Sequence, residues 1–290
     1  MSSPLRPAFD EAPLAVAVLG RDYPAGAETG LHHHRRGQLL HATEGLMIVL
    51  TTSGRWAVPP GHAVWIPPEV DHDVSMHGAV AMRTAYVAPD AARELPARCR
   101  VMAVSPLLRA VLLAMFDEPQ SGDADGCNDG RNDGRNDGRF GHLAALVISE
   151  IARAAEAPMA LPLPRDRRLR AMTDAIAREP ELTLGLDAWA ERIGMSRRSL
   201  TRRFRAETGL SFVTWRRRLR LMTAAALVAD GMPPAKAHLR VGYRSTGARV
   251  SGRRQESPLQ PAGHGPSPGA RGAAGGPVRQ AGIPPAGRDR

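Results

Sequence analysis

Short apolar runs separated by turn residues fill the first third of the chain. Each run is three to seven residues long and lies between Gly, Pro or charged residues, a pattern typical of β-strands. Many short strands at close spacing favour a sandwich or a small barrel. We therefore predict a β-sandwich or small β-barrel domain over residues 1–104, with strands at residues 14–19, 39–42, 46–52, 56–58, 63–66 and 82–87.

The apolar period changes to that of an α-helix after residue 104. Ser105 is a natural N-cap, and Pro106 suits the first position of a helix. A second helix is predicted over residues 142–157. Both helices are amphipathic, and their long apolar faces are candidates for a homodimer interface. The apolar positions are Leu107, Leu108, Val111, Leu112 and Met115 in the first helix, and Leu143, Leu146, Val147 and Ile151 in the second.

Polar and proline-rich segments interrupt and follow these elements. Within the helical extension at residues 105–157, three tandem Asn-Asp-Gly-Arg copies predict a disordered, solvated loop over residues 118–141. Its Asp-rich stretch lacks the glutamate that would close a calcium loop. Three prolines predict an interdomain linker over residues 158–165. Residues 257–290 consist mostly of Pro, Gly, Ala and Arg, which predicts a disordered tail.

A helix-turn-helix pattern lies inside a helical region that we predict over residues 166–256. Gly194 ends the first helix of the pattern, as the tight turn requires. Ser196 is a natural N-cap for the second helix, and Gly209 is a natural stop. The predicted inward positions are Leu186, Trp189, Ala190 and Ile193 on the first helix, and Leu200 and Phe204 on the second.

Positive charge is concentrated in the same half of the chain. The protein carries a net charge of +10, which divides into −4 for residues 1–165 and +14 for residues 166–290. On the second helix of the pattern, arginines and a threonine fall opposite the apolar stripe, and the stretch from Ser196 to Ala206 holds five Arg and no acid. This arrangement predicts contact with double-stranded DNA. The expected contacts are Arg198, Thr201 and Arg202 to base edges, and Arg197, Arg203 and Arg205 to phosphates.

Other bulk features narrow the class of protein. The two cysteines, Cys99 and Cys127, match no metal or redox spacing, so we expect free thiols. No apolar run approaches the roughly 20 residues that cross a membrane, and the N-terminus does not resemble a signal peptide. We therefore expect a soluble, cytoplasmic protein without a membrane partner.

The helix-turn-helix segment resembles the AraC/XylS family of transcription regulators. The resemblance rests on Trp189-Ala190, on Gly194 through Phe204, and on Glu207-Thr208-Gly209-Leu210-Ser211. The following apolar face at Phe212, Trp215, Leu219, Met222 and Ala226 resembles the family's long connecting helix, which Gly231 would end.

The second helix-turn-helix unit expected from this resemblance matches only at its turn, Gly242-Tyr243-Arg244-Ser245. The positions where the family has large apolar residues hold Arg249 and Arg253, so we predict that this unit is degraded after residue 245 and does not fold. A change of reading frame near residues 238–249 would explain the loss. The alternative is a short variant that uses one unit and a basic tail. In either case, sequence-specific affinity should be weaker than for a family member with two units.

The N-terminal domain resembles a cupin, a small β-barrel that often serves as the sensor of AraC/XylS regulators. His32, His34, Gln38 and Gly45 have the spacing of the first cupin motif, with Gln where a glutamate ligand is common. A second motif runs from Gly61 to His72. The resemblance implies that His32, His34, Gln38 and His72 are candidate ligands for a divalent metal such as Zn²⁺, Ni²⁺ or Fe²⁺. The alternative is an empty pocket without a cofactor.

These patterns predict an α+β multidomain protein: a cupin-like barrel with two helices, an all-α helix-turn-helix domain and a disordered tail. The predicted function is a sequence-specific, effector-responsive transcription regulator rather than an enzyme. The effector is an unidentified small molecule. Two alternatives stay open: a metal-dependent cupin enzyme, and a truncated regulator with weakened operator binding.

Overall fold

The computed structural model describes residues 14–117 and 138–243. The predicted tail at residues 257–290, most of the predicted repeat loop and the second helix-turn-helix unit after residue 245 lie outside the described residues. The strands are β1 (Val16–Tyr23), β2 (Gly37–Thr51), β3 (Gly54–Val58), β4 (His62–Ile66), β5 (His72–Val87), β6 (Arg100–Ala103) and β7 (Ala160–Pro162). The helices are α1 (Pro89–Ala92), α2 (Pro106–Asp117), α3 (Arg139–Arg153), α4 (Arg167–Arg178), α5 (Leu186–Arg192), α6 (Arg197–Thr208), α7 (Phe212–Ala229) and α8 (Pro234–Arg240).

The N-terminal strands form one antiparallel sheet, which confirms the cupin-like fold. Its hydrogen-bonded path runs β1-β5-β2-β3-β7, and β4 joins β2 to β6. Among the described residues this path does not close into a ring, so the sheet is not the closed barrel that we predicted. Two predicted strands are parts of the long β2, which bulges near Gly45 where its register against β5 shifts.

Apolar side chains pack on both faces of this sheet. The inner face is filled by large side chains that include Met47, Trp56, Met76 and Met82. The opposite face is covered by α2 and α3, where Leu108 and Ile151 pack against Trp65. The interior is therefore occupied by the protein's own side chains.

Helix α3 begins earlier than the sequence pattern predicted. The predicted loop extended to residue 141, whereas α3 begins at Arg139. Phe140 is 5 % exposed and joins the core with Ala144 and Val147, so burial of its ring places this turn in the helix. The helix ends at Arg153, before the predicted end at residue 157.

The predicted linker at residues 158–165 is part of the fold. Its central residues form β7, which extends the sheet by pairing Ala160 with Trp56 of β3 and Pro162 with Gly54. A proline is tolerated at this edge because an edge strand has one row of N–H groups without ladder partners. Leu161 and Leu163 on either side of it are buried in the core of the helical region, so this segment belongs to both parts.

The helical region is built around α4, α5, α6 and α7. Its central side chains are fully or nearly fully buried and include Leu169, Trp189, Phe204 and Trp215. Helix α7 also packs on the outer face of the sheet, where Ala226 and Met222 meet Leu46 and Ala57. All described residues therefore belong to one compact unit. Among them, no helix combines the length and apolarity needed to span a membrane.

Candidate nucleic-acid interface and sensor histidine cluster

The turn between α5 and α6 has the geometry predicted from its sequence. Gly194 has φ of 64° and Gly209, which follows α6, has φ of 70°, a region that favours glycine because side chains with a Cβ are strained there. The Ser196 hydroxyl accepts a hydrogen bond from the Ser199 N–H at 3.2 Å and caps α6. From α4, the Arg168 guanidinium donates to the Gly194 carbonyl at 3.0 Å. The turn is thus fixed by backbone shape and by a contact with a third helix.

The buried side of α6 anchors it firmly in the helical core. Leu200 and Phe204 are both 0 % exposed, as predicted. The Phe204 ring lies with its centroid 5.8 Å from the centroids of Phe212 and Trp215, in nearly perpendicular arrangements that aromatic pairs favour. Because these anchors fix the helix about its axis, the opposite side of α6 faces solvent in a defined orientation.

The exposed side of α6 forms a single open surface, which we call the arginine face. The guanidinium groups of Arg198, Arg202 and Arg205 make no ion pair or hydrogen bond with any described residue. Unpaired guanidinium groups keep all their donors available to an incoming anion or base edge. The residues that line this face are Arg197, Arg198, Thr201, Arg202, Arg205 and Ala206.

The remaining two arginines of the predicted DNA contact set are paired within the protein. Arg197 lines the arginine face and pairs with Asp187 of α5 at 2.7 Å. Arg203 does not line this face, and its guanidinium pairs at 2.7 Å with Asp166. Asp166 also caps α4 by accepting from the Arg168 N–H. The structure therefore separates Arg203 from the other five predicted residues.

Two arginines of α7 have a structural role that the sequence analysis did not identify. The Arg220 guanidinium donates to the carbonyls of Pro180 and Leu182, and Arg216 donates to the carbonyl of Leu184 at 2.9 Å. These bonds hold the loop between α4 and α5. The sequence signal was only a run of charge on α7, which does not distinguish a loop clamp from a solvated face.

The sensor domain brings three of its predicted ligands together. One ring nitrogen from each of His32, His34 and His72 lies within 4.8 Å of the others. His32 and His72 exchange two backbone hydrogen bonds, of 3.0 and 2.8 Å, which align the segment before β2 with the start of β5. Residues 40 positions apart thereby share one small site.

The hydrogen bonds of these rings orient them as metal ligands. Nδ1 of His32 lies 2.7 Å from the Gly30 carbonyl, and Nδ1 of His72 lies 2.8 Å from the Val70 carbonyl. Since a carbonyl only accepts, each Nδ1 carries a proton, which leaves Nε2 as the atom that can bind a metal, as is usual for histidine ligands. The buried Nε2 of His72 has no hydrogen-bond partner among the described residues.

Burial keeps two of these imidazoles neutral. It lowers the pKa of His34 to about 3, with a smaller contribution from the charge of His32, and it lowers the pKa of His72 to about 4. A neutral imidazole is the form that coordinates a metal. The donor set of three imidazoles, two of them kept neutral by burial, therefore fits a divalent transition metal, although it supplies no negative charge.

The fourth predicted ligand, Gln38, is buried and contacts Tyr86, which lies against His34 of this cluster. Its Nε2 donates to the Tyr86 hydroxyl at 3.1 Å, and the Tyr86 ring lies 5.1 Å from the ring of His34. With Nε2 engaged, Oε1 is the atom left for another ligand, and it has no hydrogen-bond partner among the described residues. Gln38 thus reaches the histidine cluster through Tyr86.

Two family models match the chain. The model of an AraC-like ligand binding domain matches residues 16–159, and that of a helix-turn-helix domain matches residues 189–249. The matches together span more than two thirds of the chain. The first covers β1 to β6 with α1, α2 and α3, and the second begins within α5 and includes α6, α7 and α8.

Curated relatives include two HTH-type transcriptional regulators. NimR from Escherichia coli K12 is 28 % identical over 221 residues, which cover 76 % of this chain and 76 % of NimR. RipA from Corynebacterium glutamicum is 32 % identical over 100 residues, or 34 % of this chain and 30 % of RipA. Among solved structures, ToxT from Vibrio cholerae aligns with 79 % of this chain and 90 % of its own at 7 % identity and a TM-score of 0.31. On the two family models and these regulators, the chain belongs to the AraC family of helix-turn-helix transcription regulators.

Proposed function

We propose that the protein recognises its operator by placing α6 in the major groove of double-stranded DNA. The observation that carries the proposal is the arginine face, whose unpaired guanidinium groups stand on a helix anchored by Leu200 and Phe204. Arg198, Thr201 and Arg202 are assigned to base edges, since an arginine fork suits guanine. Arg197 and Arg205 are assigned to phosphates.

Arg203 has a positioning role in this proposal. Because its guanidinium is paired with Asp166 at 2.7 Å and does not line the arginine face, it serves to position α6 on α4. The phosphate contact expected from the sequence would require this ion pair to open.

The proposal includes a response to a small-molecule effector, because the sensor domain is packed against the DNA-binding region. Asp230, which caps the C-terminus of α7, accepts a hydrogen bond from the Gly78 N–H at 2.9 Å and pairs with His77 of β5 at 2.8 Å. The Arg170 guanidinium of α4 donates to the Thr52 carbonyl at 2.8 Å. A ligand that prefers one arrangement of these parts would shift the orientation of α6.

We assign two further properties to the sensor. A divalent metal would be held by His32, His34 and His72, with Gln38 as an additional oxygen donor, and would cross-link the segments before β2 and at the start of β5. A homodimer would form through α2 and α3, which expose apolar side chains that include Leu107, Leu113 and Leu146 at 48, 49 and 41 %. Sedimentation velocity over a range of concentrations tests the dimer.

Regulation rather than catalysis is the role proposed, and the cytoplasm, where operator DNA lies, is the location that fits it. Metal analysis combined with activity assays distinguishes this role from that of a cupin enzyme: stoichiometric iron or nickel together with turnover of a substrate would favour the enzyme.

The proposal is tested by selecting bound sequences from a randomised pool of DNA duplexes, followed by footprinting. We expect a conserved motif of one major-groove site, and loss of selection when Arg198 and Arg202 are both replaced by Ala. Binding without any sequence enrichment at low salt would refute sequence-specific recognition by this chain.

A further inference from the structure

A cleft of about 330 Å³ lies where the sensor sheet, β7 and helix α7 meet. We call it the junction cleft. The sheet contributes Leu46 and Ala57, Pro59 follows β3, and α7 contributes Leu221 and Met222. This volume is at the lower end of the range found for small-molecule sites. The cleft is distinct from the histidine cluster and from the packed inner face of the sheet.

The walls of the junction cleft are almost entirely apolar. Leu221 leaves 52 % of its surface exposed at the rim, while Leu46 and Ala57 form a buried floor at 5 and 9 %. Exposure of a leucine side chain to water is unfavourable in free energy, and an apolar ligand that covered it would remove this penalty. The shape and the lining therefore favour a compact apolar body.

Arg218 is the one charged residue among those that line the junction cleft. Its guanidinium donates to the Ala160 carbonyl of β7 at 3.3 Å, and no described carboxylate pairs with it. That single hydrogen bond leaves most of its five donors free. A half-buried cation at the edge of an apolar cavity favours an anionic group on the ligand, since such a pair is stronger there than in bulk water.

From these observations we propose that the junction cleft binds a small amphipathic organic anion, with its apolar body on Leu46 and Met222 and its charge on Arg218. This inference rests on the proposed regulatory function and names the site at which the effector acts. The ligand would touch the sheet, β7 and α7 at once, so its binding free energy depends on their remaining docked. By linkage, occupancy stabilises the docked arrangement of the sensor and the DNA-binding region.

The proposal is tested on the full chain with two fluorescent probes that share one apolar body. The anionic probe is 1-anilinonaphthalene-8-sulfonate, and the neutral probe is its parent 1-anilinonaphthalene. We expect Arg218→Met to weaken the anionic probe at least about tenfold and the neutral probe less than about twofold. Ala225→Phe, which fills the cleft from an exposed position of α7, should weaken both probes.

The matched control is Arg217→Met, on the neighbouring exposed position of α7 that does not line the cleft. Unchanged binding of the anionic probe in both Arg218→Met and Ala225→Phe would overturn the inference, as would equal losses in Arg217→Met and Arg218→Met. DNA selection without any probe reports separately on the proposed function. If DNA selection succeeds but the cleft variants bind both probes as the wild type does, the cleft proposal alone is refuted. If DNA selection fails while Arg218→Met still weakens only the anionic probe, the regulatory role is refuted.

Discussion

Replacement of Arg202 by Ala tests the arginine face directly. Arg202 is exposed on α6 and makes no ion pair with a described residue, so its loss should leave folding nearly unchanged. A bidentate arginine–guanine contact contributes about 1–3 kcal/mol of discrimination, which corresponds to a loss of roughly 5- to 150-fold in affinity for the preferred site. Competition binding with the selected operator and its single-base variants measures this loss. We expect specificity to relax at one base pair only.

Arg203→Ala is the matched control, because the two arginines are adjacent but face different partners. The Arg203 side chain, which pairs with Asp166, is 49 % exposed. Loss of this ion pair should therefore lower the free energy of unfolding by no more than about 1 kcal/mol. DNA affinity should change little. Uniform weakening of Arg202→Ala on every sequence would mean that Arg202 contacts phosphate. Equal losses of specific affinity in both variants would refute the assignment of the face.

Three further predictions concern the core, the histidine cluster and the sensor contact. Phe204→Ala should lower the free energy of unfolding by about 3–5 kcal/mol, since the ring is 0 % exposed; a loss below about 1 kcal/mol in urea titrations would contradict its anchoring role. His72→Ala should abolish binding of Zn²⁺ in calorimetric titrations, and Gln38→Glu should strengthen this binding by adding a negative charge. Equal Zn²⁺ affinity in the wild type and both variants would exclude a metal at this cluster. Asp230→Ala should speed hydrogen exchange at the Gly78 amide, whose hydrogen bond it removes. The free energy of unfolding should fall by less than about 1 kcal/mol, because the Asp230 carboxylate is 39 % exposed. Unchanged exchange at Gly78 would show that this contact does not hold α7 on the sensor.

Local patterns were sufficient for most elements because helices and turns depend on neighbouring residues. The N-cap Ser196, the turn at Gly194 and the buried pair Leu200 and Phe204 followed from spacing within a few positions. The linker prediction over residues 158–165 missed β7 for the same reason. Prolines near residue 160 are typical of a linker when only neighbouring residues are considered. The segment forms a strand because it pairs with the edge of β3, about a hundred positions earlier in the chain.

The amino-acid sequence alone was enough to identify a DNA-binding regulator with a cupin-like sensor, because charge, helical period and motif spacing are properties of contiguous residues. The packing of distant segments, in contrast, pairs Arg203 with Asp166, 37 positions away, and separates it from the residues that line the arginine face. It likewise decided that His72 meets His32, and that Arg218 faces an apolar cleft shared by the sensor sheet and α7. These outcomes depend on how distant segments pack, and no local period encodes that packing.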